Sequence, residues 1–351
     1  MEIKDFLIPE SFRIIDAMQR LDTLGKKTLF VAENGRLLAA VTDGDIRRWI
    51  LKNGNLQKSI KEVANYRPKW LPAEERKQAY RKLKEWEVDA IPLLADERRI
   101  VSIFLWNNEE IRSGRKLLIP TVVMAGGFGT RLYPYTKILP KPLIPIGEIP
   151  IAEHIMNRFH SFGVNSFYLV VNHKKNMIKA YFSENNKNYQ IYYIDEDKPL
   201  GTGGGLQLLA GQITETFFLT NCDILVEADY EQIYRCHQEA GNRITMVCAR
   251  QNMKIPYGVV EVGEQGKLLT MKEKPELSFL TNTGFYVVEP VVIERLEKDV
   301  PISFPEIIAD CQQRGERVGV YTVEADQWLD MGQIEEMEKM EKMLTGLEME
   351  K

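Results

Sequence analysis

The sequence predicts an α/β protein whose main domain has a mixed, mainly parallel sheet. Between residues 121 and 220, short apolar segments alternate with segments of helical periodicity, which is typical of parallel strands joined by helices. A glycine-rich stretch directly follows the first of these strands. At 351 residues the chain is long enough for two domains, and residues 1–115 carry a separate, fainter repeat of strands and helices.

Composition excludes several classes of protein. The net charge is −4 and basic residues are scattered, so we expect neither nucleic-acid nor membrane binding. The four cysteines show no paired metal-ligand spacing and are typical of thiols in a reducing compartment. The first residues lack a basic-then-apolar signal pattern. We therefore expect a cytoplasmic protein.

The main domain should run over residues 117–351. Its first strand, at 121–124, is followed by predicted helices at 152–162, 176–185 and 206–210. Further strands are expected at 166–172, 190–194 and 216–220. Ligands of such folds bind beyond the carboxyl ends of the strands.

The glycine-rich stretch has the features of a polyphosphate site. Gly126, Gly127 and Gly129 allow backbone N–H groups to approach a ligand, and Arg131 and Lys141 follow closely. A dinucleotide fingerprint would need glycine at position 132, which is leucine, and no Gly-Lys-Ser/Thr triplet follows. The alternative is a plain turn, but the pattern is longer than a turn requires.

Residues 126–132 (Gly-Gly-Phe-Gly-Thr-Arg-Leu) with Pro140-Lys-Pro142 resemble the signature of the sugar-1-phosphate nucleotidyltransferases. The resemblance continues through most of residues 118–340. It implies a Rossmann-like domain that joins a nucleoside triphosphate to a sugar 1-phosphate and releases pyrophosphate. It also implies catalytic roles for Arg131, Lys141 and Asp223, and nucleotide contacts from Met124, Ala125, Gly126, Gly127, Gly129, Thr130, Arg131, Gly201 and Thr202.

Gly201 and Thr202 belong to a second glycine cluster, residues 200–206, that resembles the base pocket of the family. Small residues there would admit a flat ring. The alternative is a turn that simply begins a helix.

Asp223 and Asp330 match the metal-binding aspartates of the family. A carboxylate after a buried strand and opposite a triphosphate is a suitable Mg²⁺ ligand. Mg²⁺ is thus the expected cofactor. Either aspartate alone could instead be a turn or capping residue.

The sugar-phosphate half is expected later in the chain. Tyr257, Gly258, Glu273, Lys274 and Asn282 match positions that contact the sugar phosphate in the family. In that comparison Glu273 would accept from sugar hydroxyls and Lys274 would pair with the phosphate. A surface Lys-Glu-Lys run is otherwise a solvated face.

Residues 1–112 resemble a tandem pair of cystathionine-β-synthase-type (CBS) domains, most clearly at 35–48, followed by a polar linker at 107–116. The resemblance implies that Thr42 and Asp45 bind an adenosine nucleotide. Asp45 as a helix cap is the alternative. In the second repeat no carboxylate lies three residues after Ser102, so at most one site is expected. Such pairs also dimerise, which makes a homo-oligomer a possibility.

The base and the sugar are open to alternatives. Val171-Asn172 and residues 199–203 look most like mannose-1-phosphate guanylyltransferases, so GTP is expected, with UTP, dTTP and CTP as alternatives. The CBS-type pair is similar to that of the glucosamine-1-phosphate guanylyltransferases that serve legionaminic acid and surface-glycan synthesis. An alternative from another functional class is that the chain is a nucleotide sensor with an inactive transferase domain. Residues 335–351 are expected to form a helix on the main domain, with Met337, Met340, Leu344 and Leu347 on one face.

Overall fold

A computed structural model describes residues 1–106, 109–113, 116–184, 187–332 and 334–345. Two seven-stranded sheets dominate it, one in the N-terminal module and one in the C-terminal domain. Among the described residues no helix has both the length and the apolar character needed to cross a membrane.

The described residues of the N-terminal module form four α-helices and seven strands, besides short 3₁₀ turns. In chain order these are α1 (Ile3–Phe6), β1 (Leu7–Ile8), α2 (Ile14–Leu24), β2 (Thr28–Glu33), β3 (Arg36–Thr42), α3 (Asp43–Leu51), β4 (Leu71–Pro72), α4 (Ala79–Trp86), β5 (Ala90–Ala95), β6 (Arg99–Leu105) and β7 (Glu110–Arg112).

The module contains the internal repeat that the sequence predicts. In each half a short strand pairs in parallel with the next strand, which then forms an antiparallel hairpin: β1–β2–β3 in one half and β4–β5–β6 in the other. Asn34 and Gly35 connect β2 to β3, and both have positive φ, as a type I′ hairpin turn requires. The halves meet where Arg36 pairs with Arg99.

The C-terminal domain carries the remaining helices and strands. They are β8 (Thr121–Met124), α5 (Tyr135–Ile138), β9 (Pro145–Ile146), β10 (Ile149–Pro150), α6 (Ile151–Ser161), β11 (Ser166–Val171), α7 (Lys175–Glu184), β12 (Gln190–Asp195), α8 (Gly201–Gly204), β13 (Phe217–Asn221), β14 (Ile224–Val226), α9 (Tyr230–Ala240), β15 (Ile244–Lys254), β16 (Val259–Val262), β17 (Leu268–Lys272), β18 (Glu276–Val288), α10 (Val291–Glu294), α11 (Phe304–Gln313), β19 (Val318–Glu324), β20 (Trp328–Asp330) and α12 (Ile334–Thr345).

The main sheet is mixed and mainly parallel, as predicted. Its order is β12-β11-β8-β13-β18-β15-β19, and only β18 runs antiparallel to its neighbours. The central strands are buried on both faces because their residues alternate between two apolar cores. Val123 and Phe218 face one core, and Val122 and Leu219 face the other.

Two predicted segments differ from the structure. Part of the expected linker at 107–116 is strand β7, which pairs with β6; positions 107, 108, 114 and 115 lie outside the described residues. The helix expected at 206–210 is a 3₁₀ turn over Gly205–Leu209 that follows α8. Glycine has low helix propensity, and the backbone of Gly203 and Gly204 at the end of α8 lies against the segment before α11.

The predicted C-terminal helix forms as α12. Met337 and Met340 are buried in the core of the C-terminal domain, and Leu344 packs against it. The helix also packs against α4 of the N-terminal module. Leu347 lies outside the described residues.

Candidate active site

The candidate site lies at the carboxyl ends of the central parallel strands. Met124 ends β8 and pairs in register with Asn221 at the end of β13, so the loops that follow these strands meet. A cleft of about 480 Å³ opens between these loops. Its walls include the following predicted residues: Met124, Gly126, Gly127, Gly129, Thr130, Arg131, Lys141, Gly201, Thr202 and Asp223.

Ala125 lies beneath this cleft. It is 1% exposed, and its N–H donates to the carbonyl of Val170 at 2.8 Å. Ala125 therefore supports the loop from below, whereas the resemblance implied a contact with the nucleotide.

Close packing explains why glycines occupy the first loop. Gly129 has a φ of +66°, and a Cβ there would lie 2.8 Å from Cγ2 of Thr136. The carbonyl of Gly129 accepts a hydrogen bond of 2.8 Å from the Thr136 hydroxyl. A Cβ at Gly126 would lie 2.9 Å from Oε2 of Glu196. The loop is thus held in one shape with its backbone close to the cleft.

Lys141 and Asp223 form an ion pair in the cleft wall. Both side chains are largely buried, at 19% and 15% exposure. Burial alone would lower the pKa of Lys141, but the Asp223 carboxylate raises it above its ordinary value. Lys141 is therefore a fixed positive charge beside the phosphate loop.

Asp330 is brought next to Asp223 by a short antiparallel ladder. Strand β14, directly after Asp223, pairs with β20, and Ile224 lies opposite Asp330. The N–H of Met331 donates to the Asp223 carbonyl at 2.8 Å. Burial and the neighbouring charge of Asp223 raise the pKa of Asp330. The two predicted metal ligands are neighbours in space.

A cation fits the chemistry of this pair. Like charges raise the pKa of Asp330, and a cation between the carboxylates would reverse that effect. Within the described ranges no cluster of three or more His, Cys, Asp or Glu side chains is placed to hold a metal ion. Two aspartates with triphosphate oxygens and water would form the all-oxygen ligand set that Mg²⁺ prefers.

The second glycine cluster forms the wall opposite the phosphate loop. Gly201 has a φ of +83°, and a Cβ there would lie 2.7 Å from the carbonyl oxygen of Ile302. The Thr202 hydroxyl accepts from the N–H of Phe304 at 3.1 Å. The structure therefore places the predicted base-pocket segment directly on the cleft.

Glu196 lies in the cleft wall and was not predicted. Its side chain is 6% exposed, and Oε1 accepts a hydrogen bond of 3.1 Å from the N–H of Leu200. Burial raises the pKa of its carboxyl group. In the sequence it stands in the acidic run Asp195-Glu-Asp197, which is typical of a solvated turn. Only its position after β12 and before the glycine cluster could have indicated a pocket residue.

The segment after β11 contacts the phosphate loop and the residues that follow it. The ring of His173 lies 5.0 Å from that of Phe128. The ammonium group of Lys174 donates to three carbonyls of the segment that follows the loop, at 2.7 to 3.0 Å. The sequence assigned no role to these two residues; their contacts identify them as supports of the loop.

The predicted sugar-phosphate residues lie outside the cleft wall, on an arm made by β16, β17 and the outer halves of β15 and β18. Gly258 and Glu273 are adjacent there, since a Cβ at Gly258 would lie 3.0 Å from the Glu273 carboxylate. Tyr257 and Lys274 are exposed.

Asn282 lies nearest to the cleft. Its Nδ2 donates to the Tyr286 hydroxyl at 2.7 Å. Two residues later, a Cβ at Gly284 would lie 2.5 Å from Nδ2 of Asn221. The start of the arm therefore touches the carboxyl edge of the sheet beside Asp223.

In the N-terminal module, Thr42 and Asp45 form a capping box at the start of α3. The Asp45 carboxylate accepts from the N–H and hydroxyl of Thr42, at 2.9 and 2.7 Å, and also pairs with Arg48. Thr42 lines a cleft of about 410 Å³ together with the cations Lys27, Arg47 and Lys69, but Asp45 does not. Asp45 therefore caps helix α3, which is the alternative role given for it above.

The chain belongs to the nucleotidyl transferase family: the family model described as "Nucleotidyl transferase" matches residues 120–345. The N-terminal module lies outside this match.

Among its relatives, the mannose-1-phosphate guanylyltransferase of Mycobacterium tuberculosis is 32% identical over 225 residues, which are 61% of each chain. The bifunctional protein GlmU of Methanococcus maripaludis is 37% identical over 190 residues, or 53% of this chain and 44% of that one. The chain thus spans 61% of the length of the first of these relatives and 44% of the length of the second.

The fold agrees with solved structures. HddC from Yersinia pseudotuberculosis superposes with a TM-score of 0.51 at 23% identity, covering 64% of this chain and 99% of that one. A structure of HddC complexed with GMP-PN gives the same score at 22% identity. These neighbours establish the α/β nucleotidyltransferase fold.

Proposed function

We propose that this chain transfers a nucleoside monophosphate from a nucleoside triphosphate, GTP, to a sugar 1-phosphate and releases pyrophosphate. The sugar is a hexose or hexosamine such as mannose or glucosamine. The observation that carries the proposal is the cleft itself, where a glycine-rich loop, two cations and a pair of aspartates converge at the end of β8 and β13. Membership of the nucleotidyl transferase family supports it.

The reaction needs no covalent intermediate on the protein. An oxygen of the sugar phosphate attacks the α-phosphorus, and the bond from that phosphorus to the bridging oxygen of the β-phosphate breaks. Backbone N–H groups of the glycine loop and the guanidinium of Arg131 would hold the triphosphate and stabilise the leaving pyrophosphate. Lys141, held by Asp223, would offset negative charge at the reacting phosphates.

We infer that Asp223 and Asp330 hold Mg²⁺ when the triphosphate binds. The ion would supply charge neutralisation at the phosphates. The support is their adjacency across β14 and β20 and the chemistry of two carboxylates beside a phosphate loop. A cation held by Asp223 would leave the Lys141 ammonium group available to a phosphate.

Glu196 is the observation that favours GTP over the other nucleotides. Guanine presents two adjacent donors, N1–H and N2–H₂, on one edge, and a carboxylate accepts from both. Uracil and thymine present one N–H between two carbonyls, and adenine and cytosine each present a single amino group beside an acceptor. A buried carboxylate between the two glycine segments is complementary to guanine.

For the sugar phosphate we propose the residues of the arm: Tyr257, Gly258, Glu273, Lys274 and Asn282. The support is that Gly284, two residues after Asn282, lies beside Asn221 at the edge of the cleft, so that the arm and the cleft share one edge of the sheet. Glu273 would accept from sugar hydroxyls and Lys274 would bind the phosphate.

The N-terminal module we propose to be a CBS-type regulatory unit that binds an adenosine nucleotide in the cleft beside Thr42. The support is the internal repeat and the presence of Lys27, Arg47 and Lys69 in that cleft. Arg47 pairs there with Asp43 and Lys27 with Asp89, so a phosphate would have to displace these carboxylates. Asp45 would have to leave its capping contacts to bind a ribose. Calorimetry with AMP, ADP and ATP tests this, and no binding of any of the three would refute it.

The function is tested by measuring pyrophosphate release in Mg²⁺ from a grid of GTP, UTP, dTTP and CTP against the 1-phosphates of mannose, glucose, glucosamine and N-acetylglucosamine. One strongly preferred pair containing GTP is expected. A preference for another nucleotide would refute the base assignment alone. No activity from folded protein, with or without adenine nucleotides, would contradict the transferase function and favour the sensor reading.

A further inference from the structure

Four charged side chains are buried together where the N-terminal module meets the transferase domain. Arg76 and Glu110 come from the module, and Arg158 and Glu227 come from the transferase domain. We call them the interface charge cluster. Their side chains are 19%, 2%, 6% and 9% exposed. Arg112 of the module, which is more exposed, also pairs with Glu110 at 3.3 Å from the edge of the cluster.

Arg76 is the link between the two domains in this cluster. Its guanidinium donates to Glu110 and to Glu227, each at 2.6 Å. Arg158 is more distant, at 3.4 Å from each of the same carboxylates, and its shortest contact is to the Ala228 carbonyl at 2.8 Å. Removing one partner of a buried ion pair leaves the other charge uncompensated. Glu227 therefore depends on Arg76 for its closest countercharge.

Glu227 is joined to both candidate metal ligands by a short ladder. It directly follows β14, which begins one residue after Asp223. Its N–H donates to the Gln327 carbonyl at 2.7 Å, and Nε2 of Gln327 donates back to the Glu227 carbonyl at 3.0 Å. Gln327 immediately precedes β20, which ends at Asp330. One end of the β14–β20 ladder is therefore held by Arg76, and the other end carries Asp223 and Asp330.

We propose that Arg76 is a positioning residue for the transfer reaction: by holding Glu227 it fixes the β14–β20 ladder and with it the separation of Asp223 and Asp330. The inference rests on the proposed function in that the aspartate pair holds Mg²⁺. The module is then part of the catalytic unit, because the transferase domain alone keeps only the longer Arg158 contact to Glu227, at 3.4 Å, and lacks the 2.6 Å contact from Arg76. Arg76 touches no substrate and acts only through the ladder.

The test compares two full-length variants that each remove one ion pair between the same two domains. Arg76→Met removes the buried contacts to Glu227. Lys84→Met is the matched control, because Lys84 pairs with Glu148 at 2.6 Å across the same interface, but Glu148 is 67% exposed and is not connected to the ladder.

Two readouts are measured on both variants. The first is hydrogen–deuterium exchange of the amides in β14 and β20, relative to those in β8 and β11. The second is the Mg²⁺ concentration for half-maximal pyrophosphate release, with the KM for sugar 1-phosphate. We expect Arg76→Met to speed exchange in β14 and β20 selectively and to raise the Mg²⁺ requirement at least about tenfold, the lower end of the effect of a lost outer contact at a metal site, with little change in that KM. Lys84→Met should change neither.

Uniformly faster exchange in all four strands, or an unchanged Mg²⁺ requirement in folded Arg76→Met, would overturn the proposal and leave Arg76 a structural residue only. If Arg76→Met does not fold, Glu227→Gln gives the same test with less change of shape. If the unaltered chain has no transferase activity, the proposed function fails by itself, and exchange in β14 and β20 still decides whether Arg76 holds the ladder.

Discussion

Replacing Glu196 by glutamine should reduce the use of GTP while leaving the fold intact. Glutamine has almost the same shape, and its carbonyl oxygen can still accept from the N–H of Leu200, as Oε1 of Glu196 does at 3.1 Å. What is lost is the negative charge opposite the two N–H donors of guanine. The substitution therefore separates base recognition from packing.

The magnitude follows from the strength of hydrogen bonds to a charged group, about 1.5–3 kcal/mol. Since 1.36 kcal/mol is a factor of ten, kcat/KM for GTP should fall about 10- to 150-fold. The amide offers one donor and one acceptor, which suits uracil and thymine, so kcat/KM for UTP should stay constant or rise. The ratio of GTP to UTP use is the quantity that should change most.

Thermal unfolding of the ligand-free protein gives an independent check. Burial raises the pKa of Glu196, so its ionised form opposes folding, and this effect grows as pH rises through the folded-state pKa. Glu196→Gln should therefore not lower the Tm at neutral pH. Asp195→Asn is the matched control, because the exposed neighbour pairs with Lys179 at 2.6 Å rather than facing the cleft. An unchanged GTP-to-UTP ratio in Glu196→Gln, or an equal change in Asp195→Asn, would refute guanine recognition by Glu196.

The remaining predictions concern the phosphate site and the domain interface. Arg131→Ala and Asp223→Ala should each lower turnover by about a hundredfold or more, measured as pyrophosphate release. Arg131 would contact the reacting phosphates directly, whereas Asp223 would act on them through Mg²⁺ and through its ion pair with Lys141; near-normal turnover by either folded variant would contradict its role. At Glu110, burial opposes ionisation, but Arg76, Arg158 and Arg112 lower the pKa from 4.5 to about 2, which corresponds to about 3 kcal/mol of stability. That stability is present above pH 4.5 and is lost as pH falls towards 2. Glu110→Gln should therefore lower the free energy of unfolding at pH 7, measured by denaturant titration. The variant should also lose less of that free energy between pH 4.5 and pH 2 than the unaltered protein does. An acid profile parallel to that of the unaltered protein would contradict the assignment.

Local sequence signals were sufficient for much of the fold and part of the cleft. The strand at 121–124 and the glycines after it are adjacent in sequence, so composition and spacing alone indicate a phosphate loop. The Asn34–Gly35 turn is equally local, because both residues have the positive φ that a tight hairpin needs. Helix α3 is also specified locally, because its capping box at Thr42 and Asp45 stands directly at its start.

Long-range contacts explain what the sequence did not indicate. In the sequence, Glu196 resembles a solvated turn residue. In the folded chain it follows β12, and its carboxylate lies between Gly126 and Leu200. Arg76 lies 151 residues from Glu227 along the chain, and the charged sequence around it is typical of regular α-helix. That segment is instead a 3₁₀ turn over Ala73–Gln78, with a kink at Glu75, ahead of α4. Neither the kink nor the buried partners of Arg76 can be recognised from the spacing of apolar residues in the sequence.

Because β18 runs antiparallel to its neighbours, two kinds of segment meet at the carboxyl edge of the parallel strands. The loops after β8 and β13 leave the sheet at that edge. The arm enters β18 at the same edge, and β18 then runs to the opposite edge of the sheet. On the proposed assignment, the cleft segments up to Asp223 and the arm are consecutive blocks of sequence, and Asp330 follows both. Exchange of residues 251–283 with a related enzyme would then replace the acceptor side as a block and leave Glu196 and the phosphate loop unchanged. The two substrate selectivities would be encoded by different parts of the chain.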